Sequence, residues 1–198
     1  MVRKNGHKST KNLWIFCEGR TEKNYFNKLK YIDRIRRLVI KAIDVTHNSA
    51  DGIVKEAINF KEKHNNFQED DIIICVFDRD QNNREQLIKA KSLADQRDIK
   101  LVFSNPCFEY WILCHYGHFP NQQEKQEIER KILRYLGNYI TNDPDLYIKT
   151  RGKIQEAVKN SKKMFNQHIR NRTQIISRES NPLTLMFELI DLINSFKN

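Results

Sequence analysis

The segment Asp71-Ile72-Ile73-Ile74-Cys75-Val76-Phe77, closed by Asp78-Arg79-Asp80, decides how the rest of the chain is read. Its apolar run is short, rich in β-branched side chains and bounded by acids, and it offers an apolar surface on both faces. That is the pattern of a central strand in a parallel sheet covered by helices. Working toward the N-terminus, Asn12 to Cys17 (NLWIFC) reads as a second buried strand that stops at Glu18-Gly19. Thr21 and Asn24 with Tyr25, Phe26, Leu29 and Ile32 have the spacing of a helix after it. A strand is predicted over Arg37 to Val45, then a helix from about 50 to 64 with Ile53, Val54, Ala57, Ile58 and Phe60 facing inward. Toward the C-terminus, Asn83 to Asp95 is predicted helical and Ile99 to Ser104 forms a fourth strand. Pro106, placed at a first helical turn, opens a helix from Cys107 to Tyr116.

Strand and helix alternate through this region, so the expected class is α/β: a Rossmann-like parallel sheet with helices on both faces and right-handed crossovers. From Asn121 onward the strand signal disappears. Glu124 to Tyr139, Pro144 to His168 and Leu183 to Phe196 carry helical periodicity, with Asn181-Pro182 as punctuation. The expected organisation is a flexible basic arm over 1–11, a core over 12–120, and a basic helical extension packed on the core over 121–198.

The chain has 198 residues, 39% hydrophobic and 30% charged, which excludes a wholly disordered polypeptide. Its 35 Lys and Arg against 25 Asp and Glu give a net charge of +10, so a polyanionic partner is expected. The excess is concentrated: Lys149 to Arg178 holds nine basic residues and one acid, Glu156. Lys153, Lys159, Lys162, Lys163, Arg170 and Arg172 are the candidate nucleic-acid contacts there; a solvated helix face is the alternative reading. No stretch approaches the roughly 18 apolar residues of a membrane span, and Leu13 to Cys17 is too short for a signal-peptide core. A cytoplasmic protein with no membrane partner is expected. The four cysteines are scattered in apolar stretches and read as reduced, buried thiols. A zinc site from Cys107, Cys114, His115 and His118 lacks the usual ligand spacing.

Ligands of open parallel sheets bind beyond the carboxyl ends of the strands. Glu18 follows the first strand and Asp78 and Asp80 end the third, so if those strands are neighbours three carboxylates converge. Asp78 and Asp80, two residues apart on extended backbone, point to one side. Close carboxylates repel and raise one another's pKa unless a hard cation joins them, so Mg²⁺ or Mn²⁺ is the expected occupant. In phosphodiester cleavage such an ion activates water and neutralises phosphoryl oxygens. Acids at strand ends also serve as helix caps, which is the competing reading. Asn105, Glu109 and His115, at and after the end of the fourth strand, are further candidates. For Asn105 and Glu109 the alternative is again helix capping.

The ordered motifs Cys17-Glu18-Gly19-Arg20-Thr21-Glu22-Lys23-Asn24-Tyr25-Phe26, Val76-Phe77-Asp78-Arg79-Asp80, Asn105 to His115 (NPCFEYWILCH) and Asn181-Pro182-Leu183-Thr184 resemble those of the RloB-like family, a branch of the TOPRIM superfamily found in bacterial and archaeal defence loci. The resemblance spans nearly the whole chain. It implies a TOPRIM-like catalytic core in which Glu18 is general acid/base or metal ligand and Asp78 and Asp80 hold Mg²⁺. Glu109 and His115 join as catalytic candidates, and Arg20 and Asn105 as nucleic-acid contacts. The large additional domains of topoisomerases and primases are lacking, so the implied activity is a nuclease acting on DNA or on RNA such as tRNA. The implied setting is abortive infection, with a homo-oligomer or a defence-system partner protein as company. A non-catalytic nucleic-acid-binding or partner-sensing module is the alternative. A phosphoacceptor domain fits less well, because Asp78-Arg79-Asp80 follows the third strand rather than the first.

Overall fold

The structure is a computed structural model that describes residues 11–42, 49–80 and 82–197. The predicted basic arm over 1–11 therefore lies outside the described residues except for Lys11, as do the last three residues of the strand expected over Arg37 to Val45. The sheet has five strands, β1 (Leu13–Cys17), β2 (Leu38–Ala42), β3 (Ile72–Asp78), β4 (Lys100–Asn105) and β5 (Leu183–Thr184), in the order β2-β1-β3-β4-β5. The first four are parallel and β5 is antiparallel to β4. The class is α/β, and the segment that decided the reading occupies the centre of the sheet, with Cys75, Val76 and Phe77 fully buried.

Helices α1 (Arg20–Ile32), α2 (Ala50–Lys63) and α3 (Arg84–Arg97) make the crossovers. Because β2 and β3 flank β1 on opposite sides, right-handed connections put α1 on one face and α2 with α3 on the other. Accordingly α2 packs on α3, and α1 on α6 (Leu146–Thr150). The ends are set by local chemistry: Ser49 accepts from Gly52 N–H at the start of α2, and Asn83 and Gln86 form a reciprocal capping box at the start of α3. The remaining helices are α4 (Glu109–Cys114), α5 (Lys125–Leu136), α7 (Ile154–Arg170) and α8 (Met186–Ser195). α5 and α7 pack on α4, and α8 packs on α7 and β4. No helix among the described residues is long and apolar enough to cross a membrane. The four cysteines are free and buried.

Three expectations need correction. Pro106 does not open a helix: the Asn105–Pro106 peptide is cis and α4 begins only at Glu109. The helix expected over Pro144 to His168 is broken, with a 3-10 turn at Arg151–Lys153 around Gly152 between α6 and α7. Leu183 and Thr184 belong to a strand instead of the last helix. Their place is fixed by contacts far away in sequence: Thr184 Oγ1 lies 3.0 Å from Ser104 Oγ, and Leu185 N–H donates to Phe103 O at 3.0 Å.

Candidate active site

Parallel register places the end of β1 beside the end of β3, Cys17 opposite Val76. One residue on, Glu18 N–H donates to Val76 O at 3.2 Å, and the Glu18 Oε2 accepts from Asp78 N–H at 3.2 Å. β3 and β4 stay paired past the strand end: Arg79 N–H donates to Ser104 O at 2.9 Å and Asp80 N–H to Pro106 O at 3.1 Å. The extended backbone this maintains brings Asp78 and Asp80 to the same wall. Asn82 braces the edge, donating to Asp78 O and accepting from Ala50 N–H, both at 2.6 Å.

Glu18, Asp78 and Asp80 line one cavity of about 190 Å³ together with Arg20, Glu22, Glu109 and Lys125. Glu22 enters from the first turn of α1 and is 4% exposed; Glu109, the first residue of α4, is also 4% exposed. The Glu109 Oε1 accepts from the Tyr139 hydroxyl at 3.1 Å. Lys125 Nζ, at the start of α5, pairs with Asp80 Oδ2 at 2.8 Å. Thr141 and Asn142, in the connection from α5 to α6, form another wall; Asn142 accepts from the Thr21 hydroxyl at 3.2 Å and the Asn24 amide at 2.9 Å.

Crowding of buried carboxyls shapes their acidity. Burial, then the Glu22, Glu109 and Asp80 carboxylates, hold the Asp78 carboxyl well above its ordinary range. Burial and the nearby Asp80 push Glu18 up to about 7, against the Asp78 amide, which works the other way. Glu22 is pushed up to about 8 by burial, then by Glu109 and Glu18. These groups hold more protons folded than unfolded between about pH 4.3 and 8, so stability falls as pH rises through that window. In EDTA the melting temperature is expected to drop by on the order of 5 °C from pH 5 to pH 8. Glu22→Gln should flatten the slope, and an unchanged slope in that variant would refute the assignment.

Whether these residues fit a divalent ion rests on their free oxygens. Glu18 Oε1 and Asp78 Oδ1 are buried without a hydrogen-bond partner, an arrangement that costs free energy unless something else satisfies them. The donor set is all carboxylate, which suits a hard cation. Against this, Asp80 is turned to Lys125, and no group of three or more His, Cys, Asp or Glu side chains among the described residues has its donors drawn together as metal ligands. The free oxygens of Glu18 and Asp78 suit a hard cation in their chemistry, and Asp80 would have to leave Lys125 to join them.

Of the other expected residues, Arg20 is exposed at the cavity rim and Glu109 lies inside it. One expectation is corrected. His115 does not line the cavity: it is 1% exposed at the far end of α4, its Nδ1 3.0 Å from Trp111 O, and burial lowers its pKa to about 4. Asn105, also 1% exposed, has its amide occupied internally, Nδ2 donating to Ser177 O at 2.9 Å and Arg178 O at 3.2 Å, so that group positions the loop, while the residue lines the neighbouring cavity shared with Asp80 and Lys125. Along α7, Lys159, Lys163 and Arg170 are exposed on one stripe, whereas Lys162 pairs with Asp191 at 2.8 Å. Lys153 stands 4.6 Å over the Tyr116 ring, and Arg172 lies beyond α7, lining a separate cavity with Arg79, Arg84 and Arg178.

Reasoning from sequence missed Glu22 and Lys125 as site residues. Glu22 had a signal, since it stands four residues after Glu18 across a glycine. A Cβ on Gly19 would collide with the Glu22 carboxylate, so this backbone is bare because that side chain lies over it. Gly19→Ala is expected to displace the Glu22 carboxylate and cost about 1 kcal/mol or less at the helix cap, read as a small melting shift. A wild-type pH slope of stability in that variant would show that the carboxylate had not moved. Lys125 had no local signal.

Comparison with known proteins finds that the family model described as RloB-like protein matches residues 13–193. No curated protein matches the chain. No solved structure matches it.

Proposed function

The chain belongs to the RloB-like protein family, and from that premise we propose that it is a divalent-metal-dependent nuclease that hydrolyses nucleic-acid phosphodiesters on a TOPRIM-type sheet. The observation that carries the reading is the pair of buried, unpartnered oxygens, Glu18 Oε1 and Asp78 Oδ1, at the carboxyl edge of two adjacent parallel strands. Glu18 and Asp78, with Asp80, are the proposed holders of Mg²⁺ or Mn²⁺. Such an ion, when bound, supplies a water activated at neutral pH and charge to offset that of the phosphoryl oxygens.

The chain's own groups do the rest. A cavity of about 190 Å³ is below the roughly 300 Å³ at which small-molecule pockets begin, so it accommodates a phosphate group rather than a nucleoside. Lys125 sits where its ammonium can exchange Asp80 for a phosphoryl oxygen, and Arg20 at the rim adds a second cation. The Tyr139 hydroxyl holds Glu109 in one orientation. The exposed stripe of α7 supplies a sequence-independent electrostatic attraction for the polyanion.

The proposed setting is the cytoplasm of a bacterial or archaeal cell, where cleavage of DNA or of RNA such as tRNA would halt an infected cell. Incubation of purified protein with plasmid DNA and with total tRNA, in Mg²⁺ and in Mn²⁺, is expected to give products that EDTA suppresses. No product from either substrate in either ion would overturn the reading. The Asp80–Lys125 ion pair favours the second reading, a non-catalytic binding module. Under that reading Asp78→Ala changes nothing that can be measured on nucleic acid.

A further inference from the structure

The carboxylate cavity is one end of a longer trough. Asp80 and Lys125 also line a second cavity of about 580 Å³, whose other walls include Arg79 and Arg178. Arg79 and Arg178 in turn line a third cavity of about 750 Å³, lying between the start of α3 and the loop after α7. Each cavity thus shares walls with the next, and the whole leads away from Asp78 and Asp80.

The third cavity is lined by four arginines, Arg79, Arg84, Arg172 and Arg178, with Glu179 as its only carboxylate. Among the described residues none of the four guanidinium groups makes a hydrogen bond or a close ion pair, Arg84 and Arg178 acting on Glu179 only as nearby charges, and Arg79 Nε is buried without a hydrogen-bond partner. Guanidinium groups without hydrogen-bond partners around a concave space are a set of fork-shaped donors open to oxyanions. Leu87, Ile88 and Ile176 give the same cavity an apolar wall. A guanidinium lining with an apolar patch matches a ligand that carries both phosphate and a flat ring. The volume falls in the range of about 300–1,000 Å³ typical of small-molecule sites, which holds a nucleotide but not the width of a duplex. Arg178 is held in place from below, since its carbonyl and that of Ser177 accept from the buried Asn105 amide at the end of β4.

We propose that the trough seats a single-stranded segment of nucleic acid, a nucleotide flanking the reacting phosphodiester lying in the arginine-lined cavity with its phosphate against Arg84 and Arg178 and its base against Leu87 and Ile88. The inference rests on the reading of this chain as a nuclease, from which it takes the direction of the strand away from the carboxylates. It assigns recognition to the sheet edge itself, in addition to the basic stripe on α7. Single strands meet such sites through phosphate contacts and ring packing, largely without regard to sequence.

The test measures binding in EDTA, so that no cleavage is needed. Fluorescein-labelled six-residue oligodeoxythymidylate and oligouridylate are titrated with wild type, with Arg84→Ala/Arg178→Ala, and with Lys91→Ala/Arg97→Ala. The last pair removes the same charge from the far part of α3. Both arginines of the test pair are exposed, so the fold is not at risk. The expected result is binding of at least one probe that weakens about tenfold in the test pair, with a salt slope shallower by about 1, and is unchanged in the control pair. An unlabelled duplex should compete poorly. Wild-type affinity and slope in the test pair, an equal loss in the control pair, or equal competition by duplex would each overturn the proposal. Cleavage of a longer strand is followed in parallel. Metal-dependent products with arginine-independent binding sink this inference alone, whereas arginine-dependent binding without products sinks the nuclease reading alone.

Discussion

Asp78→Asn is expected to lower metal-dependent phosphodiester cleavage at least about a thousandfold, equivalent to about 4 kcal/mol of transition-state stabilisation. The same variant should raise the melting temperature of the metal-free protein. Both follow from the position of one carboxyl: Asp78 is 9% exposed, its Oδ1 has no partner, and burial with Glu22, Glu109 and Asp80 around it disfavours its anion. Asparagine keeps the shape and removes the charge. Nucleic-acid affinity in EDTA should stay within about twofold, because positively charged contacts dominate that term. Initial rates with a labelled strand, and melting curves in EDTA with and without added Mg²⁺, check the pair of effects. A variant that still cleaves at a tenth of the wild-type rate would remove Asp78 from the reaction centre.

Trp111→Ala is expected to cost about 3–5 kcal/mol of folding stability, a large share of the 5–15 kcal/mol of a typical domain. Trp111 in α4 is fully buried, and its indole N–H donates to the Tyr25 hydroxyl of α1 at 3.0 Å. Tyr25 packs edge-on against Phe26, Phe108 and Tyr147. Truncation would empty the space where α1 and α4 meet and loosen the two helices that carry Glu22 and Glu109. Trp111→Phe should lose about 1–2 kcal/mol, mainly the hydrogen bond. Denaturant titration of both variants measures the difference, and a loss below about 1 kcal/mol for the alanine would show that α4 is not anchored there.

The parallel core was readable because its information is local. Val76 and Phe77 sit in a run with no polar interruption, and Gly19 and Asn83 mark helix starts within three residues of the groups they serve. That Glu18 and the Asp78/Asp80 pair meet at one cavity was readable for the same reason, each at the end of a strand whose neighbour could be guessed. What could not be read depends on contacts across the chain. Leu183 and Thr184 are too few to show a strand's alternation, and their pairing with Asn105 and Ser104, far earlier in the chain, makes them one. For Asn105, sequence shows its type and not the Ser177 and Arg178 carbonyls that occupy its amide. His115 was drawn in by its chemistry, while helical geometry carries it away from the carboxylates: it lies six residues beyond Glu109, about 9 Å along the axis.

The antiparallel pairing of β5 on β4 also bears on how the polypeptide behaves when cut. Without Leu183–Thr184 and the Leu185 amide that caps Phe103 O, β4 would present unpaired backbone groups along its outer side, flanked by apolar Val102 and Phe103. A fragment ending before these residues would carry the strands of the candidate site intact yet offer a sticky border to its own copies, and self-association would deplete it before any activity could be assayed. Supplying the missing piece as a separate peptide should restore a dispersed particle.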